Sequence, residues 1–246
     1  MKSDNPAFKI DTFDTMAHSR GYSRTDSMTV SGTINKTSFL LLLAFATATY
    51  TWRQAMTGVM PGGLMTVGIV GGLICAIAIA FKKEWSPVLA PAYALLEGLA
   101  LGGISGIMAL QYSGIVYQAV GLTFGTLAVM LLAYKSGLIR ATEGFKAAVI
   151  SATGAICLFY LVTMVVGLFG VTIPYIHEGG VLGIGLSLLV TGVAAMNLIL
   201  DFDFIESYEG KLPAYMEWYG AFGLMVTLVW LYIEFLKLLA KLNRRD

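Results

Sequence analysis

The chain has 246 residues, of which 57% are hydrophobic and only 13% are charged, and its formal net charge is +1. A soluble domain carries about 25% charged residues, so this chain has too few charges to cover a water-exposed surface. The small net charge also excludes a strong field that would attract nucleic acid, so the expected partner of the surface is the lipid bilayer.

The chain divides into a polar tail and one transmembrane domain. Residues 1–36 are polar and of mixed charge, so we expect a cytoplasmic tail without a cleavable signal peptide. A spanning helix needs roughly 20 mostly apolar residues, and residues 37–242 contain seven such segments. These predicted spans are 37–57, 62–81, 87–110, 114–134, 147–171, 180–200 and 214–240. Their continuous apolar character predicts an all-α bundle and excludes barrel strands.

The lysines and arginines predict the orientation of the chain. With the N-terminus inside, the outer loops hold only Arg53, and the other basic residues before the last span lie on the inner side. Seven spans then place Lys241 and Arg244 outside, against the usual bias. The last span therefore either crosses the membrane despite these charges, which we favour, or is partly re-entrant.

Six carboxylates lie in or beside the spans, where charges are costly and usually functional. In chain order they are Glu97 in span three, Asp201, Asp203 and Glu206 at the end of span six, and Glu217 and Glu234 in span seven. Structural alternatives exist for most of them. The span-six acids can face water and pair with Lys211, Glu217 can favour a helix N-terminus, and Glu234 can pair with Lys237 three residues later.

The acids of spans six and seven are expected to meet. Gly210 and Pro213 break the chain between these spans, which brings Glu217 to a depth similar to that of Asp201. Carboxylates held close together in a low dielectric cannot all ionise, so such a cluster shares protons. Oxygen ligands of this kind also bind Ca²⁺, which makes Asp201 and Glu217 a candidate calcium site in which protons compete with the cation.

Three segments carry a resemblance to a known family. The segments "YALLEGLALGGIS", "LDFDFIE" and "LYIEFLKLL" resemble the third, sixth and last helices of the Bax inhibitor-1 (YccA-like) membrane proteins, in particular their bacterial branch. The resemblance covers about residues 28–242. It implies a seven-helix bundle with the last helix at its centre, and a pH-sensitive Ca²⁺ leak through a bacterial inner membrane without any cofactor.

The resemblance also implies a proton-sensing pair of acids on helices six and seven. Asp201 matches the first member. For its partner, motif similarity favours Glu234, whereas depth favours Glu217. The second acid of span six, Asp203, is expected to modify the titration. Glu97 and Glu206 are candidate pore or structural residues, and the arginine that latches the sensor in relatives has no counterpart in span two.

Other functions remain open from the sequence. A secondary transporter or exchanger fits the same acids, and so does a scaffold that regulates other membrane proteins. An enzyme is not expected, because the chain has neither a Gly-x-Ser-x-Gly nor a His-Glu-x-x-His motif.

Overall fold

Seven long helices form the part of the chain that the computed structural model describes, residues 27–169 and 180–244. They are α1 (Val30–Met56), α2 (Gly62–Phe81), α3 (Ser86–Gln111), α4 (Ile115–Lys135), α5 (Glu143–Leu168), α6 (Val181–Ser207) and α7 (Met216–Asn243). A single 3-10 turn, Lys83–Trp85, leads into α3. All seven are long and apolar enough to cross a membrane. The predicted all-α bundle of seven spans is confirmed.

Helix α1 begins earlier than its apolar run predicts. The hydroxyl of Thr29 caps the helix by accepting a hydrogen bond of 2.9 Å from the backbone N–H of Gly32. A capped helix needs no apolar side chains in its first turns, so α1 starts at Val30 and not at residue 37. The predicted tail is therefore shorter than 1–36. Its residues 1–26, and residues 170 and 171 of the fifth predicted span, lie outside the described residues.

Helix α7 lies at the centre of the bundle. It contacts α1, α3, α4 and α6, and 67% of its most apolar stretch is buried, a larger share than in any other described spanning helix. By contrast, α5 is peripheral, with 11% of its apolar stretch buried. The outward side chains are apolar, as in Leu42 and Leu73, which is the arrangement that a lipid environment favours. The expectation of a central last helix is confirmed.

Successive helices alternate in direction, so the bundle has two ends. We call one end the N-face; it is formed by the helix ends at Val30, Phe81, Lys135, Ser207 and Met216. The opposite end is the C-face, formed by the helix ends at Met56, Gln111, Ile115, Val181 and Asn243. At the C-face the Arg244 side chain donates to the hydroxyl of Tyr112 over 3.0 Å. Helix α7 therefore runs through the full bundle and does not turn back.

Helices α1 and α3 approach each other closely through glycines. A side-chain carbon at Gly98 would collide with the backbone of Ala44, and one at Gly102 would collide with the backbone of Ala48. Small residues are what allow helices to pack closely in lipid, where association depends on van der Waals contact. The glycine-rich stretch of α3 thus fixes α1 beside it.

At the N-face the segment before α1 is joined to the loop between α6 and α7. The backbone N–H of Met28 donates to the carbonyl of Leu212 over 2.7 Å, and that of Gly210 donates to the carbonyl of Met28 over 2.8 Å. Gly210 has a positive φ of 72°, a conformation open to glycine at little cost. These hydrogen bonds therefore join the segments that precede α1 and α7 at the N-face.

Candidate functional site

Asp201 lies at the contact between α6 and the central helix. It stands six residues before the end of α6 at Ser207, about 9 Å from that end at the rise of an α-helix. Its Oδ2 atom accepts a hydrogen bond of 2.6 Å from the Thr227 hydroxyl of α7. Gly223, one turn earlier in α7, lies beside the same carboxyl group. Asp201 forms no ion pair with any residue in the described ranges.

Asp203 and Glu206 lie on the side of α6 that faces a large open cavity at the N-face. The Asp203 carboxylate pairs with Lys146 of α5 at 2.8 Å, and Glu143 approaches the same ammonium group at 3.5 Å. The Tyr134 hydroxyl of α4 interacts with both acids of α6. The cavity has a volume of about 1170 Å³ and reaches from this polar rim to α7. These acids are therefore partnered and line a water-accessible space.

Glu217 forms a clasp between α7 and α1. Its Oε1 atom accepts hydrogen bonds from the backbone N–H of Thr29, at 2.9 Å, and from the Thr29 hydroxyl, at 2.7 Å. Its other oxygen forms an ion pair with Lys36. Gly32 lies directly against the carboxylate, and any side chain there would collide with it. The acid is 6% exposed and has a partner on both oxygens.

Glu234 lies toward the C-face and is 1% exposed. Its Oε1 atom accepts hydrogen bonds from the Lys237 ammonium group, at 2.9 Å, and from the Tyr160 hydroxyl, at 3.2 Å. Its Oε2 atom has no hydrogen-bond partner among the described residues. The predicted pairing with Lys237 is present, and α5 adds a partner that the sequence did not indicate.

Glu97 lies at the contact between α3 and α2. Its Oε2 atom lies against Gly72 of α2, where an added side-chain carbon would be 3.0 Å away. Tyr93 precedes Glu97 by one turn of α3, and its hydroxyl interacts electrostatically with the Glu97 carboxylate. Glu97 forms no ion pair with any residue that the structure describes. Glu97 is thus separate from the acids of α6 and α7.

The acids of α6 and α7 occupy separate levels along the central helix and do not form one cluster. The partner of Asp201 is Thr227, ten residues after Glu217 and seven before Glu234, which corresponds to about 15 Å and about 10 Å along the helix. The described residues contain no group of three or more His, Cys, Asp or Glu side chains that could hold a metal ion. The expected pairing of Asp201 with Glu217 as a calcium site is therefore not assembled in the structure, because α1 already occupies the Glu217 carboxylate.

Apart from Lys237, the residues that partner these acids were missed by sequence reasoning. They are Thr29, Lys36, Lys146, Tyr160 and Thr227. Of these, only Thr227 could have been noticed in the sequence, because it is a polar residue within the apolar run of span seven. The others contact their acids across long stretches of chain that no local pattern connects.

Comparison with known proteins gives one match over nearly the whole chain. The family model described as Bax inhibitor 1 like matches residues 5–244. No match was found among curated proteins or among solved structures.

Proposed function

Since the chain belongs to the Bax inhibitor 1-like family of membrane proteins, we propose that it is a pH-sensitive leak channel for Ca²⁺. We place it in a bacterial inner membrane with the N-face in the cytoplasm, as the excess of lysine and arginine on that side favours. The single observation that carries the proposal is the Asp201 carboxyl group at the α6–α7 contact, held by the Thr227 hydroxyl and by no cation of the described residues.

Protonation of Asp201 would change the contact between α6 and the central helix. A neutral carboxyl group both donates and accepts hydrogen bonds, whereas a carboxylate only accepts them. An uncompensated charge at membrane depth is costly, so the ionised form favours entry of water or of a cation at this contact. Asp201 therefore has the properties of a proton-operated gate.

The N-face cavity supplies an approach route to this gate. Asp201 does not line the cavity, but its neighbours Phe202 and Asp203 do, and so do Leu224 and Leu228 on either side of Thr227. Carboxylates at a pore entrance raise the local concentration of cations, and Ca²⁺ prefers oxygen ligands. We assign Asp203 and Glu206 to this entrance.

The remaining acids receive different roles in the proposal. Glu217 is compensated by Lys36 and joins α1 to α7, so we assign it to stability and not to sensing. Glu234 retains one carboxylate oxygen without a partner among the described residues, so it is the better candidate for a second proton-binding acid on α7. Glu97 is assigned to the packing of α2 on α3.

The test is Ca²⁺ flux into proteoliposomes that contain a calcium dye, measured over a series of pH values. Since protons compete with Ca²⁺ at Asp201, the flux of the wild type is expected to fall as the pH is lowered. The D201N variant keeps the shape of the side chain and loses its charge, so its flux is expected to be low and independent of pH. The matched control is E143Q, since the Glu143 side chain is 85% exposed, and its profile is expected to match that of the wild type.

Three results would contradict the proposal. An unchanged pH profile in D201N would remove Asp201 as the sensor. A wild type that passes no Ca²⁺ at any pH would remove the channel and favour a scaffold. A flux that requires an opposing gradient of a second ion would favour an exchanger, so the liposomes are prepared both with and without such a gradient. We propose no enzymatic role.

A further inference from the structure

Two cavities lie end to end along the central helix, between α1 and α4. Both helices contact α7, and the N-face cavity of about 1170 Å³ is followed by a second cavity of about 140 Å³ nearer the C-face. The second cavity is lined by Trp52 of α1 and Val116 of α4, which lie within about 6 Å of the C-face ends of their helices. Together the two cavities extend over almost the full length of the bundle.

The two cavities meet at three apolar side chains. Leu41, Phe124 and Leu228 line both of them, and each belongs to a different helix. Leu41 and Phe124 are 11 residues from the N-face ends of α1 and α4, and Leu228 is 12 residues from that of α7. All three therefore lie about 17 Å from the N-face at the helical rise, near the middle of a hydrocarbon core about 30 Å thick. We call these three side chains the apolar constriction.

The two cavities differ in polarity. Charged side chains line the N-face cavity, among them Asp203 and Glu206, which the proposed function assigns to the cation entrance. No charged side chain of the described residues lines the second cavity. A small apolar cavity offers water few hydrogen-bond partners and stays dry, and a cation that entered it would lose its hydration without replacement. The constriction and the second cavity are therefore a barrier to ions in this structure.

The proposed proton sensor touches this barrier only through its partner on α7. Neither Asp201 nor Thr227 lines either cavity, so Asp201 can bind a proton but does not itself block the route. The Thr227 hydroxyl donates to Asp201 over 2.6 Å, and Leu228 of the constriction is the next residue of α7. A change at the α6–α7 contact that shifts or rotates α7 therefore moves Leu228.

We propose that the cation path runs along α7 between α1 and α4, and that Leu41, Phe124 and Leu228 are the side chains that close it. This inference rests on the proposed Ca²⁺ flux and adds to it the course of the pore and the residues of its barrier. Apolar constrictions of this kind gate channels by losing and regaining water. Past the constriction, the hydroxyl groups of Ser105 and Tyr232 line the second cavity 2.6 Å from each other and supply oxygen ligands to a cation.

The first test is the Ca²⁺ flux assay with a change in the polarity of the constriction. L41N introduces a polar side chain of similar size, so it favours entry of water without widening the path. Its matched control is L42N, which makes the same change in the next residue, where the side chain is 70% exposed and lines neither cavity. At neutral pH the flux of L41N is expected to rise about tenfold over the wild type, as for a barrier lowered by about 1.4 kcal/mol. The flux of L42N is expected to match that of the wild type.

A second pair of variants changes the width of the constriction. F124A removes the ring of a constriction residue that is 45% exposed. L122A shortens a nearby side chain of α4 that is 42% exposed and lines neither cavity. The flux at neutral pH is expected to rise in F124A and to stay unchanged in L122A.

A labelling experiment tests the same path without measuring flux. A48C places a thiol in the second cavity and S38C places one in the N-face cavity, both in the C75A/C157A background. A charged methanethiosulfonate reagent does not enter lipid, so it reaches a thiol only through water. S38C is expected to react with the constriction intact, whereas A48C is expected to react only when L41N is also present. Mass spectrometry of the intact protein measures the modified fraction.

Two results would overturn the inference. A pH-dependent flux in the wild type, with equal flux in each constriction variant and its control, would leave the proposed function intact and place the barrier elsewhere. Reaction of A48C at the rate of S38C with the constriction intact would show that the second cavity is already wet.

The proposed function can fail separately. If no variant passes Ca²⁺ but A48C reacts only beside L41N, the proposed calcium channel is contradicted and the constriction is supported as a barrier to water. Each variant is first checked for a single monodisperse species, and misfolding of L41N leaves F124A to take its place in both assays.

Discussion

Two acids near the α6–α7 turn, the buried Glu217 and the half-buried Asp201, have opposite surroundings. Glu217 forms an ion pair with Lys36 and accepts two hydrogen bonds from Thr29. Asp201 accepts a single hydrogen bond, from the Thr227 hydroxyl. A fully compensated carboxylate holds a structure together, and an uncompensated one responds to protons and cations. Burial of an acid in a membrane protein is therefore not enough to identify a sensor, and the identity of its partners decides the role.

The largest expected effect comes from removing the compensated acid. E217A leaves Lys36 and the capped start of α1 without their partner, so we expect a loss of about 3 kcal/mol in the free energy of unfolding. Thermal unfolding of the protein in detergent measures it, with E143A as a control of similar charge change at an exposed site. A melting temperature equal to that of the control would show that Glu217 is not a clasp.

The same clasp can be broken without changing any charge. G32A introduces a methyl group where the Glu217 carboxylate lies, and we expect about 2 kcal/mol of destabilisation from the displaced contact. G144A, at a helical glycine with open space around it, serves as the control and is expected to be neutral or slightly stabilising. If both variants melt alike, the close approach of α1 to Glu217 is not present in the membrane protein.

A smaller effect on stability, with a clear effect on flux, is expected at the uncompensated acid. T227V preserves the size of the side chain and removes the hydrogen bond to Asp201, at a cost of about 1 kcal/mol. The hydroxyl stabilises the ionised carboxyl group, so its loss is expected to lower Ca²⁺ flux at neutral pH in the liposome assay. T163V, at a half-buried threonine of α5, is the control. Normal flux in T227V would separate Thr227 from the gate.

The smallest effect on stability is expected at Glu234, because its ion-pair partner Lys237 is partly exposed. Glu234 is 1% exposed but its partner Lys237 is 44% exposed. The ammonium group that loses its partner is therefore not left in the interior, and we expect a cost of about 1 kcal/mol or less. E234Q retains an oxygen that can accept from Tyr160, so its melting temperature is expected to change little. A pH profile of flux that shifts in E234Q would identify Glu234 as the second acid of the gate, and an unchanged profile would leave Asp201 as the sensor alone.

The sequence indicated the helices far better than the contacts of their acids. Each span has an apolar run of sufficient length, so local composition was enough to predict seven of them. The start of α1 was missed because the residues from Val30 to Lys36 are mostly polar, and the helix there depends on the Thr29 cap and on the Glu217 clasp. Thr29 and Glu217 are 188 residues apart in the chain. No local pattern records such a pair, so the sequence placed Glu217 beside Asp201 when its partner is α1.

The central position of α7 has a consequence for biogenesis. Chains are synthesised from the N-terminus, so the helix that fills the middle of the bundle is the last of the seven described spans to leave the ribosome. Until α7 enters, Lys36 of α1 and Tyr160 of α5 lack the acids that they bind in the finished bundle, Glu217 and Glu234. Only when α7 enters does the bundle close, which makes the completed α6–α7 hairpin the step at which assembly of this membrane domain ends.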